Sequence, residues 1–98
     1  MTTKKNHSWT FLTNHSHVLC LINNNPNITI RDIAIKIGIT ERAVLNILSD
    51  LTETAYLTIT KIGRNNHYEI NKEKRLRHPI ENHCTIDDFL GPLIAIKP

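Results

Sequence analysis

Two short helical patterns joined by a three-residue turn constrain the fold of this chain more than any other part of its sequence. In each pattern the apolar residues recur at the spacing of one helical stripe: Ile30, Ile33, Ala34 and Ile37 in the first, then Val44, Ile47, Leu48 and Leu51 in the second. The turn, residues 38–40, is too short for the second helix to fold back alongside the first. We therefore expect the two helices to cross steeply and not to lie antiparallel.

Local signals mark the ends of both helices. Thr29 is a candidate N-cap with Asp32 as its capping-box partner, and Gly38 is a stop signal. Thr40 caps the second helix, which runs to about Thr54. Upstream, a first helical pattern ends at the asparagine-rich turn 23–27, where Pro26 stops a helix. The predicted helices span about 9–23, 29–38 and 40–54, behind a flexible tail at 1–8.

The first helical pattern has a mainly apolar face that includes one histidine. Its shared face holds Phe11, His15, Val18 and Ile22, and we interpret His15 as a hydrogen-bonded core histidine. With the two stripes and the strands that follow, the predicted core runs through these positions: Ile33, Ala34, Ile37, Val44, Ile47, Leu48, Leu51, Leu57, Ile59 and Tyr68.

After Ala55 the apolar period changes from helical to two, which predicts a β-hairpin at about 56–70. The segment "GRNN" at 63–66 supplies its turn and gives the tip a basic residue. A charged connection follows, and Thr85 with Asp88 caps a final helix that Gly91-Pro92 should kink or end. We expect residues 72–98 to form a dimerisation element.

Composition and charge narrow the function classes. The 98 residues carry 12 Lys+Arg against 9 Asp+Glu, and residues 61–80 hold six basic and two acidic groups, a local +4. There is no CxxC pair, and the apolar run "FLGPLIAI" is too short to cross a bilayer. We expect a cytoplasmic protein that does not enter a membrane.

The spacing of small and apolar residues across the turn resembles a known signature. Ala34, Gly38, Val44 and Ile47 match the helix-turn-helix pattern, and the hairpin that follows resembles the wing of small MarR/ArsR-type regulators. The likeness covers roughly residues 9–90. It implies a mostly α-helical winged helix-turn-helix fold, with a three-helix core and β wing at 9–71 and an extra C-terminal helix.

The resemblance implies sequence-specific binding of double-stranded DNA. The recognition helix 40–54 would enter the major groove, and the wing 61–67 would contact the minor groove or phosphates. Arg42 suits guanine and Asn46 suits adenine, because both side chains pair bidentately with base edges. The candidate DNA-binding residues are Thr40, Glu41, Arg42, Leu45, Asn46, Ser49, Lys61, Arg64, Asn65 and Asn66.

A protein-interaction module without DNA binding is the alternative. Residues 40–54 hold one basic and three acidic groups, a net −2 that phosphates would disfavour. Leu45 is apolar at a position where such regulators more usually carry a polar residue. The concentration of basic charge near the wing nevertheless favours DNA.

The sequence gives little support for metal binding or catalysis. His15 and His17 lie two apart and point to different faces of a helix, while His78, His83 and Cys84 form only a loose group that a dimer would have to combine. No phosphate loop or nucleophile motif is present, so we expect no enzyme activity, metal or cofactor. The sequence indicates no particular small-molecule effector.

We expect a homodimer. Trp9, Phe11, Leu12 and the segment "FLGPLIAI" carry more apolar surface than a three-helix core and a hairpin can cover. The first and last helices are therefore the predicted interface.

Overall fold

The computed structural model describes residues 8–94, and within that range the helices precede and follow a single hairpin. The elements are α1 (Asn14–Asn24), α2 (Ile30–Ile37), α3 (Glu41–Glu53), β1 (Leu57–Ile62), β2 (Asn65–Ile70) and α4 (Ile86–Ile94). The order of three helices, a hairpin and a final helix confirms the predicted winged helix-turn-helix fold. Hereafter the wing is residues 57–70.

Threonine caps begin the helices of the central pair. The Thr29 hydroxyl accepts the Asp32 N–H at 3.0 Å, and the Thr40 hydroxyl accepts the Ala43 N–H at 3.0 Å. Between them Gly38 adopts a left-handed φ of 85° and ends α2, with its own N–H bonded to the Ala34 carbonyl. A side chain with a Cβ is strained at that φ, which explains why glycine occupies the turn. Each cap stabilises its helix by about 1 kcal/mol.

Helix α1 begins later than its sequence pattern predicts. It starts at Asn14, not near residue 9, because the Thr13 side chain accepts the Ser16 N–H and caps the helix there. Phe11, expected on the buried face, is 92% exposed as a result. His15 is not a core histidine either, since its ring Nε2 lies 2.9 Å from Asp50 Oδ2 at the half-exposed edge between α1 and α3.

The core is aliphatic and lies between the helices and the base of the wing. Eight of the ten predicted core residues are buried, while Ile37 is only partly buried and Ile59 is 37% exposed. The expectation for Ile59 is wrong because the hairpin projects from the helices, and β1 loses its cover after Leu57. The buried set also includes residues absent from that expectation: Val18, Leu19, Ile22, Ile28, Tyr56, Ile86 and Leu90.

Helix α4 packs against α1 of the same chain. Leu90 is fully buried there, Ile86 is buried and Phe89 is partly buried, so this part of the tail completes the core and is not left uncovered as expected. Thr85 and Asp88 bond reciprocally and confirm the predicted capping box. Pro92 lies inside the helix, which continues to Ile94, because a proline so near the end removes few helical hydrogen bonds. Residues 95–98 lie outside the described residues.

The wing is a two-stranded antiparallel ladder that runs from the pair Leu57–Ile70 to the pair Ile62–Asn65. Its loop is only Gly63-Arg64, with a positive φ at Gly63, so the predicted four-residue turn is wrong and Asn65 and Asn66 belong to β2. At its base the Tyr68 N–H donates to the Pro26 carbonyl at 2.9 Å. The connection between α1 and α2 therefore anchors the wing. No described helix is long and apolar enough to cross a membrane.

Candidate nucleic-acid interface

Helix α3 presents one fully outward face because its other face is seated in the core. Val44, Ile47, Leu48 and Leu51 are all buried at helical spacing. The six residues predicted to read DNA from this region are all exposed, and Leu45 among them is 48% exposed: Thr40, Glu41, Arg42, Leu45, Asn46 and Ser49. The fold thus groups them on one surface, and their role in binding remains a prediction.

Within that surface, some side chains already have hydrogen-bond partners in the protein and others have none among the described residues. The Ser49 hydroxyl donates to Glu53 at 3.0 Å, and the Thr40 hydroxyl oxygen already serves as the helix cap. Within residues 8–94 the side chains of Arg42 and Asn46 have no hydrogen-bond or ion-pair partner. These two groups are therefore free to bond to a ligand without breaking a bond in the protein.

Two of the three acidic residues of α3, Asp50 and Glu53, lie in the last turns of the helix, away from Arg42. The Asp50 carboxylate contacts His15, and the Glu53 carboxylate accepts a hydrogen bond from the Ser49 hydroxyl. At 1.5 Å of rise per residue, Asp50 is about 12 Å along the axis from Arg42. In the first turn Glu41 and Arg42 balance each other. The net −2 of this segment therefore comes from the last turns of α3, beyond Arg42.

The predicted wing residues divide between two faces of the hairpin. Arg64 lies in the loop and is exposed, as are Lys61 and Asn65. Asn66 is half-buried, and its Nδ2 donates to the Tyr68 hydroxyl at 3.3 Å. Because successive residues of a strand point to opposite faces, Asn65 and Asn66 cannot both flank Arg64 on the same side. Of these two asparagines, only Asn65 has a side-chain amide with no hydrogen-bond partner within residues 8–94.

Two residues that the sequence did not single out position the wing. Asn27, in the connection between α1 and α2, bonds through Oδ1 to His67 Nδ1 at 2.9 Å. This contact runs beside the Tyr68–Pro26 backbone bond and ties β2 to the helices. The residues are 40 positions apart, so no local pattern in the sequence signals the contact.

The described cysteines and histidines, all within residues 8–94, form no metal-binding cluster. Burial raises the pKa of the Cys20 thiol above its ordinary value, which disfavours the thiolate that binds metals or reacts with oxidants. His78 accepts the Ile80 N–H in its own loop. Across residues 8–94, no three His, Cys, Asp or Glu side chains are grouped closely enough to hold a metal ion.

The segment that holds the three helices of the core matches a known protein family. A family model described as winged helix-turn-helix DNA-binding matches residues 12–60, which include α1, α2, α3 and the start of β1. A search of curated proteins found no match. The family match covers half of the chain and contains all six candidate residues of α3.

Proposed function

This chain belongs to the winged helix-turn-helix DNA-binding family, and we propose that it is a cytoplasmic homodimer that binds a preferred double-stranded DNA sequence and regulates transcription. Members of this family are typically not enzymes. The observation that carries the proposal is the pair Arg42 and Asn46, exposed and unpartnered within the described residues on the outward face of a helix that is fixed in the core. The spacing of Ala34, Gly38, Val44 and Ile47, with the hairpin that follows, further supports a MarR/ArsR-like regulator.

In this proposal α3 lies in the major groove, where each base pair shows a distinct pattern of donors and acceptors. Arg42 donates two bonds to guanine, and Asn46 pairs with adenine through its amide. Leu45 contacts a thymine methyl group, which gives its exposed side chain an apolar surface to cover. Glu41 accepts from the amino group of cytosine. Thr40 and Ser49 extend the same contact surface.

The wing contributes contacts that do not depend strongly on sequence. Arg64 at its tip enters the minor groove, where a cationic side chain is attracted by the negative potential of narrow A·T tracts. Lys61 neutralises a phosphate, and Asn65 offers its amide to the groove. The bond from Asn66 to Tyr68 makes Asn66 a lesser contributor. Positioning by the wing and reading by α3 would then be separate tasks.

Selection from random duplex DNA at two salt concentrations tests this function. We expect enrichment of a two-fold symmetric sequence whose half-sites are about one helical turn, or a multiple of it, apart. Binding should weaken as salt rises, because each neutralised phosphate releases counterions. Absence of binding to any duplex at low salt would refute the proposal.

A second candidate, a protein-interaction module, is favoured by the exposed apolar side chains on the helix-turn-helix pair. Ile35 of α2 is 66% exposed and Leu45 of α3 is 48% exposed. If this function is correct, Leu45→Glu disrupts a protein complex in a pull-down while Arg42→Ala has little effect. If DNA is the partner, Arg42→Ala reduces binding to the selected duplex. Measuring both variants in both assays separates the two functions.

A further inference from the structure

A groove of about 670 Å³ lies beside the last turns of α3, and neither Arg42 nor Asn46 lines it. Its walls come from the start of α1, the last turns of α3 and the start of α4. Apolar side chains such as Leu19, Leu51, Ile86 and Phe89 line much of it. A groove of this size and composition holds bulky apolar groups.

An exposed aromatic pair lies at the lip of this groove. Phe11 lines the groove while remaining 92% exposed, and Trp9 beside it is 64% exposed. The two rings pack edge-to-face on each other with centroids 5.1 Å apart. Because the Thr13 cap starts α1 after them, both rings lie outside the helix and its apolar face. Two adjacent exposed aromatic rings next to an apolar groove form a patch that is typical of an interface.

We propose that Trp9 and Phe11 of one copy of this chain insert into the groove of a second copy, reciprocally, and so form a two-fold dimer. The proposal rests on the homodimer of the proposed function and names its contact surface. A two-fold interface requires that one surface carry both complementary parts. Phe11 lies at the lip of the groove on its own chain, so a two-fold axis near that lip would bring each aromatic pair to the groove of its partner.

The area available agrees with a stable dimer. A Trp or Phe side chain buries about 150–250 Å² when it is fully covered. Because Trp9 is 64% and Phe11 92% exposed, four such rings with matching area on the groove walls bury on the order of 1,000–1,500 Å², which reaches the range of specific protein interfaces. Contacts of the aromatic pair alone are therefore sufficient, and α4 can remain packed on α1 of its own chain.

The charge around the groove favours this occupant over nucleic acid. The lining includes Asp50, Glu53 and Glu81 against the guanidinium of Arg77. An acidic rim repels phosphates, so a duplex is a poor occupant. The groove also involves the last turns of α3, whereas Arg42 lies in its first turn. None of the six candidate DNA-contact residues at the start and on the outward face of α3 lines the groove.

The single tryptophan of the chain, Trp9, reports directly on this contact. We would measure sedimentation and Trp9 emission of the full chain from low to high micromolar concentration. The expected result is a monomer–dimer equilibrium in which the emission of Trp9 shifts to the blue as the dimer forms. Phe11→Ser should weaken the dimer by roughly 30-fold or more, as truncation of an aromatic anchor does. Circular dichroism should be unchanged, since Phe11 is exposed in the monomer.

Ile80→Ser is the matched control, because Ile80 is 79% exposed but does not line the groove. It should leave both the dimer and the Trp9 emission unchanged. A chain that stays monomeric, a dimer in which Trp9 remains in water, or a dimer unaffected by Phe11→Ser would each overturn the proposal. A blue shift that does not depend on concentration would mean that the aromatic pair fills its own groove, which also overturns it. DNA binding by a monomer would preserve the DNA-binding function and refute only the dimer.

Discussion

Helix α3 and the wing carry residues proposed for the same partner, but α3 is seated through four buried side chains whereas β1 keeps only Leu57 buried. Packing of these four side chains fixes the position of α3, so its outward side chains are not needed for the core. The wing is positioned by its ladder and by the anchor from β2 to the connection between α1 and α2. The element proposed to read the DNA sequence therefore packs on the core, and the element proposed to make more uniform contacts projects from it.

The most disruptive change should be one that unseats α3. Ile47→Ala removes most of a side chain that is 7% exposed and leaves a cavity in the core. We expect it to reduce the free energy of unfolding by about 2–5 kcal/mol. Ile62→Ala in the wing, where the side chain is 61% exposed, is the matched control and should change that value by no more than about 0.5 kcal/mol. Urea unfolding of both variants checks this. Equal effects would mean that the wing is as well packed as α3.

Changes on the outward face of α3 should affect binding and leave stability unchanged. Arg42→Ala and Asn46→Ala should each weaken binding to the selected duplex by about 1–3 kcal/mol and relax the preference at one base position. Fluorescence anisotropy on the selected duplex and on its single-base variants measures this. Lys72→Ala, an exposed cation outside α3 and the wing tip, should keep every preference. Variants of Arg42 and Asn46 that bind every duplex as the parent does would remove α3 from base reading.

Loss of the wing anchor should have a smaller effect on stability. Asn27→Ala removes the bond to His67, and we expect a loss of about 0.5–1.5 kcal/mol in unfolding free energy. The Tyr68 amide, which donates to the Pro26 carbonyl, should also exchange its hydrogen faster. Asn24→Ala, an exposed asparagine at the end of α1, is the control and should leave that exchange rate unchanged. Unaltered exchange in Asn27→Ala would show that the backbone bond alone holds the wing.

The smallest expected effect concerns the wing tip. Arg64→Ala should weaken binding to all duplexes about evenly and reduce the slope of log affinity against log salt by about one unit. Arg64→Lys keeps the charge and should keep the slope. A loss confined to one base position would instead assign Arg64 to base reading and remove the distinction between the wing and α3.

The structural elements whose ends are set by interactions between neighbouring residues could be predicted from the sequence. Thr29, Gly38 and Thr40 act on backbone groups within a few residues, so the limits of α2 and the start of α3 follow from residue type. The apolar stripe of α3 likewise places Arg42 and Asn46 outward as soon as the opposite face is buried. The exposed surface of α3 was therefore accessible from periodicity alone.

The remaining features depended on contacts between residues distant in sequence. Helical spacing placed Phe11 with Val18, but the cap at Thr13 competes with that pattern and leaves Phe11 outside the helix. The alternation of apolar and polar residues in β1 indicated which face of the strand Ile59 occupies. It did not indicate whether another part of the protein covers that face.

By itself, the sequence determined the helix-turn-helix pair, the hairpin and the outward face of α3, because these follow from interactions within one or two turns of backbone. The tertiary structure alone decided that α4 closes the core over α1, that Asn27 anchors the wing at His67, and that a groove opens beside Phe11. The physical reason is that burial and long-range hydrogen bonds depend on which surfaces meet in space. Local patterns fix which side of an element is apolar, and packing decides what covers it.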